Sequence, residues 1–291
     1  MAQRKKMFEA VVHGIFLLLG LITVGCVLLI TVYLIISGIP AIQKIGLVPF
    51  LTGKVWSSTS AEPKYGILPF ILTSVYGTAG AIVLGVPIGF LTAVYLSKVA
   101  PKKIRTVLEA AVSLLAGIPS VVYGLVGMLV LVPAIRRTFH LPDGASLFAA
   151  ILVLAVMILP SIIKVSVTAL EAVPREYEDA SLALGATPIE TYFRVSVPAA
   201  KSGIAAAVVL GIGRAIGEAM AIIMVAGNVA NMPGLLTPVR FLTTAIASDM
   251  SYASAGSLHR NALFSIGLVL FLFIMLINVF LNVFIKRKKE D

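Results

Sequence analysis

The sequence predicts an all-α protein that crosses a membrane six times. Of its 291 residues, 59% are hydrophobic and only 12% are charged, and the mean hydropathy is +1.04. A soluble domain usually carries about 25% charged residues. Six long apolar stretches are present, and each reaches the roughly 20 residues that a helix needs to cross a bilayer. Because lipid offers no hydrogen-bond partner to a free backbone amide, each stretch is expected to be helical.

The apolar stretches divide the chain into two regions. Residues 1–64 are expected to form an N-terminal tail, one accessory transmembrane helix and an outer segment, and residues 65–291 a core of five transmembrane helices. The first stretch is interpreted as a retained helix, since it is far longer than the roughly 7–15 apolar residues of a cleaved signal. Only the fifth stretch contains ionised residues, Arg214 and Glu218. The six stretches are 11–37, 65–97, 110–135, 144–163, 202–226 and 261–285.

The basic residues predict that both termini lie in the cytoplasm. Cytoplasmic loops carry an excess of Lys and Arg. With the N-terminus inside, fourteen basic residues fall on the inner side and seven on the outer side. The net charge of +10 is therefore interpreted as orienting the chain next to membrane lipid, and nucleic acid is not expected as a partner. The inner residues are Arg4, Lys5, Lys6, Lys98, Lys102, Lys103, Arg105, Arg175, Arg194, Lys201, Lys286, Arg287, Lys288 and Lys289, and the outer ones are Lys44, Lys54, Lys64, Arg136, Arg137, Arg240 and Arg260.

Metal, cofactor and catalytic sites are not expected. Cys26 is the single cysteine, so no intrachain disulfide can form. His13, His140 and His259 are widely separated and form no cluster with ligand spacing. No nucleophile–base pair is visible either, which makes an enzyme the least favoured class.

A cytoplasmic helix pair is predicted at residues 174–198, between the fourth and fifth spans. Pro174 suits the first position of a helix, and Gly185 suits the position just after its end. Thr187 and Glu190 have the spacing of a capping box that starts a second helix, which is expected to stop before Pro198. An ordinary solvated loop with two good caps is the alternative interpretation.

Arg214 and Glu218 in the fifth span are the predicted substrate path. If this helix begins near Ala200, Arg214 lies about 21 Å along it, close to the middle of the bilayer, and Glu218 follows one turn later on the same face. Intramembrane ionisable residues usually face a protein interior or a water-filled path. Arg214 could offer its fork of donors to an oxyanion. Alternatively, Arg214 and Glu218 neutralise one another and stabilise the bundle.

The helix pair resembles the "EAA" loop of ABC importer permeases, the transmembrane subunits of ATP-driven importers. That pattern reads Glu-Ala-Ala, three residues, Gly, nine residues, then Ile-x-Leu-Pro. Here Asp179, Ala180 and Ser181 replace Glu-Ala-Ala, Gly185 follows at the same interval, and residues 195–198 read Val-Ser-Val-Pro. Glu178 supplies an adjacent carboxylate. The resemblance implies that Glu178, Asp179, Ala180, Ser181, Gly185 and Pro198 dock on an ATPase subunit.

Two further segments resemble the phosphate permeases of this family. They are Leu-Ala-Gly-Ile-Pro-Ser-Val-Val-Tyr-Gly at 115–124 and Gly-Arg-Ala-Ile-Gly-Glu-Ala-Met-Ala at 213–221, and the second is similar to the PstC-type subunit. The resemblance extends from Tyr65 onward. It implies a type I importer fold in the inner membrane, a sister permease of the PstA kind, two copies of an ATP-binding subunit, and a periplasmic or extracellular phosphate-binding protein. It also implies that Arg214 and Glu218 match charged residues that the family uses in transport.

Other functions stay open at this point. An arginine at mid-depth does not choose among phosphate, sulfate, molybdate and tungstate. A channel or secondary transporter would need no ATPase and no helix pair, and a membrane scaffold would use Arg214 and Glu218 only for packing. The chain has no Gly-x-x-x-x-Gly-Lys-Ser/Thr sequence. If transport uses ATP, hydrolysis is therefore expected in another subunit.

Overall fold

The described chain is almost entirely helical. This computed structural model describes the backbone of residues 2–287 and the side chains of residues 9–279. Lys288 and Lys289, which contributed to the predicted orientation, lie outside the described residues, as do the side chains at 4–6, 286 and 287. The helices are α1 (Ala2–Ile45), α2 (Leu47–Thr52), α3 (Leu68–Val94), α4 (Lys102–Gly117), α5 (Ser120–Val126), α6 (Val132–Thr138), α7 (Leu147–Glu171), α8 (Arg175–Ala183), α9 (Pro188–Thr191), α10 (Val197–Ala199), α11 (Lys201–Gly217), α12 (Met220–Val225), α13 (Leu242–Asp249) and α14 (Leu258–Arg287).

Short π-helical turns and one small hairpin complete the fold. The π-helical turns, Tyr95–Val99, Gly127–Leu131 and Tyr192–Ser196, continue α3, join α5 to α6, and join α9 to α10. The hairpin consists of β1 (Trp56–Ser57) and β2 (Lys64–Tyr65), which pair antiparallel with Trp56 opposite Tyr65.

Within the part of the chain that the structure describes, five helical segments are long and apolar enough to cross a membrane. They are Glu9–Ile45, Leu68–Val99, Ser120–Thr138, Leu147–Glu171 and Leu258–Val279. A sixth is added if Pro188–Ala199 and Lys201–Gly217, which meet at a bend of 73°, are counted as one. The predicted all-α membrane fold with about six spans is thereby confirmed, while the cytoplasmic placement of the termini stays a prediction.

The third span differs from its prediction. The sequence predicted one helix over 110–135, but Ile118 and Pro119 have extended backbone and separate α4 from α5. Because the residue before proline is disfavoured in the helical region, Ile118 ends α4. The third candidate span is therefore Ser120–Thr138, and α4 is a separate amphipathic helix that carries Lys102, Lys103 and Arg105.

Close packing between α3, α7 and α11 forms the centre of the bundle. Gly85 and Gly89 of α3 lie directly against α7: a Cβ atom at Gly85 would lie 2.7 Å from Ile158 Cδ1, and one at Gly89 would lie 2.9 Å from Ile162 Cγ2. Two glycines four residues apart thus let the backbones of α3 and α7 approach closely. Gly213 of α11, by contrast, meets no heavy atom within 4 Å outside its own helix.

The accessory helix α1 packs on α14. Gly38 of α1 lies so close to Ser265 that a Cβ atom would be 3.1 Å from Ser265 Cα, and Ser265 Oγ donates a hydrogen bond of 2.6 Å to Gly38 O. Phe50 and Trp56, which follow α1, are buried in a cluster with Phe70 of α3 and with residues of α13 and α14. The division at residue 64 therefore coincides with no gap in packing.

The bundle has two structurally different ends. The helix-pair end holds residues 174–200, where α8, α9 and α10 lie beside the last turns of α3 and α7. The hairpin end holds β1, β2, the irregular segment 227–241 and α13.

Candidate functional site

The fifth span is broken at Glu218, and its predicted continuity over 202–226 is wrong. α11 ends at Gly217, Glu218 has φ −73° and ψ 130°, and α12 begins at Met220. Glu218 Oε1 accepts a hydrogen bond of 2.9 Å from the backbone N–H of Ala221, so its side chain satisfies a free amide in the first turn of α12. Thr243 Oγ1 donates to Glu218 O at 2.7 Å and ties the break to α13. Glu218 is therefore a capping residue between two helices, and it does not share a helical face with Arg214.

Arg214 lies in the last turn of α11 and points into a cavity. It is half-buried, and its Nη1 donates to Ser161 Oγ of α7 at 3.3 Å. The cavity measures about 470 Å³ and is lined by Ser161, Val209, Leu210, Gly213, Arg214 and Asn278. Ser161 of α7, Arg214 of α11 and Asn278 of α14 thus each contribute a polar side chain to the lining of this cavity.

No carboxylate neutralises Arg214 in the described part of the chain. The ion pairs among residues 9–279 involve Lys98, Arg105, Arg240 and His259 but not Arg214. The mutual-neutralisation alternative is therefore wrong for this conformation. An arginine whose partner is a neutral hydroxyl keeps donors for an anion, since its guanidinium carries five N–H groups.

The cap geometry of the helix pair agrees with its prediction at three positions. Gly185 has φ +87°, the left-handed conformation that favours glycine after a helix end. Thr187 Oγ1 accepts from Glu190 N at 3.3 Å, and Glu190 Oε2 accepts from Thr187 N at 3.1 Å. The predicted capping box is thus confirmed. Hydrogen bonds donated by the backbone N–H and the hydroxyl of Thr187 lower the pKa of the Glu190 carboxyl below its usual value.

The helix boundaries at the two prolines differ slightly from the prediction. Pro174 is the N-cap residue of α8 and not its first helical residue. Helical structure continues through Pro198 to Ala199, and the chain bends at Ala200. Pro198 is the second residue of α10, which directly follows the π-helical turn Tyr192–Ser196, so it lies near the end of a continuous helical run, in which it has no N–H to donate.

The predicted docking residues fall on different faces of the helix pair. Asp179 and Ala180 are exposed, as are the backbone turn at Gly185 and Pro198. Glu178 and Ser181 instead face the bundle: Glu178 pairs with Lys98, and Ser181 Oγ lies 2.9 Å from Thr191 Oγ1. The sequence motif alone grouped these residues together, but the structure separates an outward-facing set from an inward-facing set.

Exposed apolar side chains surround the outward-facing set. Leu184 is 90% exposed and Ile189 67% exposed, and Tyr177 and Phe193 are also exposed. Tyr177 lies on α8 and Leu184 just after its end, while Ile189 lies on α9 and Phe193 in the π-helical turn that follows, all outside the long apolar spans. A contiguous exposed apolar patch with a polar rim typically marks a protein–protein interaction site.

A buried polar cluster at the hairpin end was missed by the sequence analysis. Arg240 is only 9% exposed, and its guanidinium donates to Asn228 Oδ1 at 2.9 Å, to Ser248 Oγ and to both oxygens of Asp249. His259 Nε2 lies 3.5 Å from Asp249 Oδ2. The cluster joins the irregular segment 227–241 to α13 and α14, and it fixes the shape of the hairpin end. The cluster is hard to predict because its members are separated in the sequence, although Arg240 and Asp249, the two charged residues of the stretch 227–259, are a weak signal.

No metal centre is built by the residues that the structure describes, since no three His, Cys, Asp or Glu side chains among them come together.

Residues 85–290 match the sequence profile of the family described as "Binding-protein-dependent transport system inner membrane component".

Curated relatives cover most of the chain. It is 41% identical over 265 residues to a probable ABC transporter permease protein, YqgH, of Bacillus subtilis, which covers 89% of this chain and 86% of the relative. It is 34% identical to the phosphate transport system permease protein PstC of Mesorhizobium japonicum, with 78% of this chain and 75% of the relative covered. Among solved structures, a bacterial alginate ABC transporter chain matches with a TM-score of 0.62 and 16% identity over 93% of this chain and 94% of that chain, which shows a shared fold.

Proposed function

The chain belongs to the family of binding-protein-dependent transport system inner membrane components, and we propose that it is the permease subunit of an ATP-driven phosphate importer. Family membership makes it a multi-pass inner-membrane permease of an ABC importer. The finer assignment to phosphate is supported by the similarity to PstC proteins and by the chemistry of the Arg214 cavity. An ATP-independent channel and a passive scaffold are set aside, because neither accounts for membership in this family.

The observation that carries the proposal is the Arg214 guanidinium in the fifth span, which forms no ion pair with any side chain among residues 9–279. Arg214 is thirteen residues from the start of α11, which places it about 20 Å along the helix and, if α11 begins at the membrane surface, inside a hydrocarbon core about 30 Å thick. A buried cation without a carboxylate costs free energy unless an anion or water meets it. A tetrahedral oxyanion offers several acceptor oxygens, and Arg214 and Ser161 can donate to them in the same cavity.

Glu218 contributes in a different way from Arg214 in this proposal. Its carboxylate holds the first turn of α12 and keeps the break in the span open. The negative end of the α11 dipole and the carboxylate of Glu218 both follow Arg214 along the chain. An anion would therefore be attracted at Arg214 and repelled just beyond it, which suits passage more than tight storage.

The helix-pair end is proposed to be cytoplasmic and to meet an ATP-binding subunit. The side assignment follows the excess of basic residues on that side of the predicted topology. Asp179, Ala180, Gly185 and Pro198 are exposed there, next to the apolar patch around Leu184 and Ile189. Two copies of an ATP-binding subunit, a sister permease of the PstA kind, and a phosphate-binding protein at the hairpin end complete the proposed assembly.

Reconstitution tests the proposal directly. The chain is purified with its sister permease and ATPase, inserted into liposomes, and supplied with the binding protein and ATP. Uptake of labelled phosphate that requires ATP, with little uptake of sulfate or molybdate, is the expected result. Uptake of sulfate or molybdate in preference to phosphate would support the second candidate, an importer of another oxyanion, and uptake without ATP or ATPase would refute the mechanism.

A further inference from the structure

We infer that Glu178 is a positioning residue that fastens α8 to the end of α3, so that these two helices move as one body. The inference rests on the proposed function, since it concerns how motion of an ATPase subunit would reach the spans. It separates Glu178 from its neighbour Asp179, with which the sequence motif had grouped it.

Three segments meet at the Glu178 carboxylate. Lys98, in the π-helical turn that extends α3, lies with its Nζ 2.5 Å from Glu178 Oε1. Ser196 Oγ, in the π-helical turn that precedes α10, donates to the same oxygen at 2.7 Å. The side chains of Lys98 and Glu178 are only 11% and 18% exposed, and Ser196 is fully buried. One carboxylate thus holds together α3, α8 and the segment leading to α11.

This carboxylate is kept charged by its surroundings. Burial raises the pKa of Glu178, but hydrogen bonds from Lys98 and Ser196 and the charges of Lys98 and Arg175 lower it by more, so the net pKa lies below its usual value. A buried ion pair loses much of its worth when one partner is removed, because the other charge is then left without compensation. Removal of either Lys98 or Glu178 is therefore expected to abolish the stabilising effect of this contact.

Apolar packing cannot replace this link, because α8 has no buried residue. Its inward face is instead attached by polar contacts, those of Glu178 and the hydroxyl pair Ser181 and Thr191. The residues that are exposed on α8, among them Glu176 and Asp179, lie away from these contacts. An exposed face for a partner and a polar inward face for the bundle thus coexist on one short helix.

The chain between α8 and α11 does not form one continuous, rigid helix. Between them lie Gly185, a π-helical turn and a 73° bend at Ala200. The contact of Glu178 with Lys98 offers a direct second route to α3. Because α3 packs on α7 through Gly85 and Gly89, and close-packed interfaces deform little, a displacement of α8 would reach both spans.

The first experiment compares variants in the assembled, reconstituted complex. Glu178→Ala is expected to associate with the ATPase and to hydrolyse ATP, while phosphate uptake per ATP falls by roughly tenfold or more. Glu176→Gln, an exposed carboxylate on the same helix, is the matched control and should leave this ratio at the parent value. Asp179→Asn should instead weaken association with the ATPase.

Exchanging the two charges distinguishes loss of the ion pair from a general folding defect. Lys98→Glu alone should resemble Glu178→Ala, and the double variant Lys98→Glu with Glu178→Lys should recover most of the lost ratio, since the pair is re-formed with opposite polarity. An assembled double variant that stays as uncoupled as the single ones would overturn the inference, as would parent-level coupling in Glu178→Ala.

The closing experiment needs no transported substrate. In a Cys26→Ser background, nitroxide labels are placed at Val99 and Glu176, both exposed, and their separation is measured by pulsed electron resonance without nucleotide and with trapped ATP. The distance distribution should not change between these states in the parent, and it should change in Glu178→Ala. A change in the parent overturns the inference. Failure of the parent to import phosphate would count against the proposed function and leave this distance result intact.

Discussion

Arg214→Gln is the substitution that most directly tests the proposed path. Glutamine keeps a polar side chain of similar reach and removes the positive charge and the guanidinium fork. The structure gives Arg214 one neutral partner, Ser161 Oγ at 3.3 Å, and no carboxylate within the described residues. The protein therefore loses little when the charge is removed, and a passing anion loses its main attraction.

The magnitude follows from the value of one charged hydrogen bond. Such a bond contributes about 1.5–3 kcal/mol net. Since each 1.4 kcal/mol is a factor of ten, phosphate uptake should fall roughly 10- to 150-fold. Arg214→Lys keeps the charge without the fork and should fall between the variant and the parent. Ser161→Ala, the matched control, removes only the neutral partner and should reduce uptake by less than Arg214→Gln.

The assay is ATP-dependent uptake of labelled phosphate into liposomes that contain the assembled complex. The amount of complex and its association with the ATPase are measured in the same preparation, so that loss of assembly is not counted as loss of transport. Uptake at the parent rate by an assembled Arg214→Gln complex would remove Arg214 from the path. An equal loss in Ser161→Ala would also refute the reasoning, because the charge would then not be the cause.

Three further outcomes follow from local geometry. Gly124→Ala should destabilise the packing of α5 on α12 by about 1–3 kcal/mol, since the new Cβ would lie 2.8 Å from Ala221 Cα, a backbone atom that cannot rotate away; thermal unfolding in detergent measures this. Thr187→Ala should remove the capping box shared with Glu190 at a cost of about 1 kcal/mol and increase amide hydrogen exchange in residues 189–191 without affecting α7. The pKa of Glu178 is depressed in the folded protein, so its stabilising contact with Lys98 is fully present above the unfolded pKa of 4.5 and is lost as the pH falls through the lower folded pKa. Amide hydrogen exchange in α8 should therefore rise only below about pH 4.5. Glu178→Gln should abolish that pH dependence.

The spans could be predicted from composition because the bilayer imposes a single, strong requirement. Any stretch of about 20 apolar residues must satisfy its own backbone, so the existence of the helices follows without knowledge of their neighbours. The capping box at Thr187 and Glu190 was predictable for a similar reason, since both partners lie three residues apart. The end of α8 was predictable in the same way, because a glycine such as Gly185 just after a helix commonly adopts a positive φ.

The features that the sequence did not reveal depend on contacts between distant residues. The break at Glu218 is stabilised by Thr243, 25 residues later, and nothing in Gly-Glu-Ala-Met by itself ends a helix. The inward direction of Glu178 depends on Lys98, 80 residues earlier. The sequence pattern therefore selected 178–181 and 214–218 as candidate segments, whose roles stay predictions, and it could not determine which side chains meet.

The way in which α1 is attached to the bundle has a consequence for how the sequence of this helix can evolve. Residues 13–30 of α1 are exposed, and its contacts with α14 lie toward its C-terminal end, at Tyr33 with Phe264 and, with the closest backbone approach, at Gly38 with Ser265. A helix of this kind can enter a bilayer by itself before it meets the bundle, as the two-stage view of membrane folding describes. Its lipid-facing sequence is consequently free to drift between lineages, or to be exchanged for another hydrophobic anchor, as long as a small residue is retained where the two backbones touch.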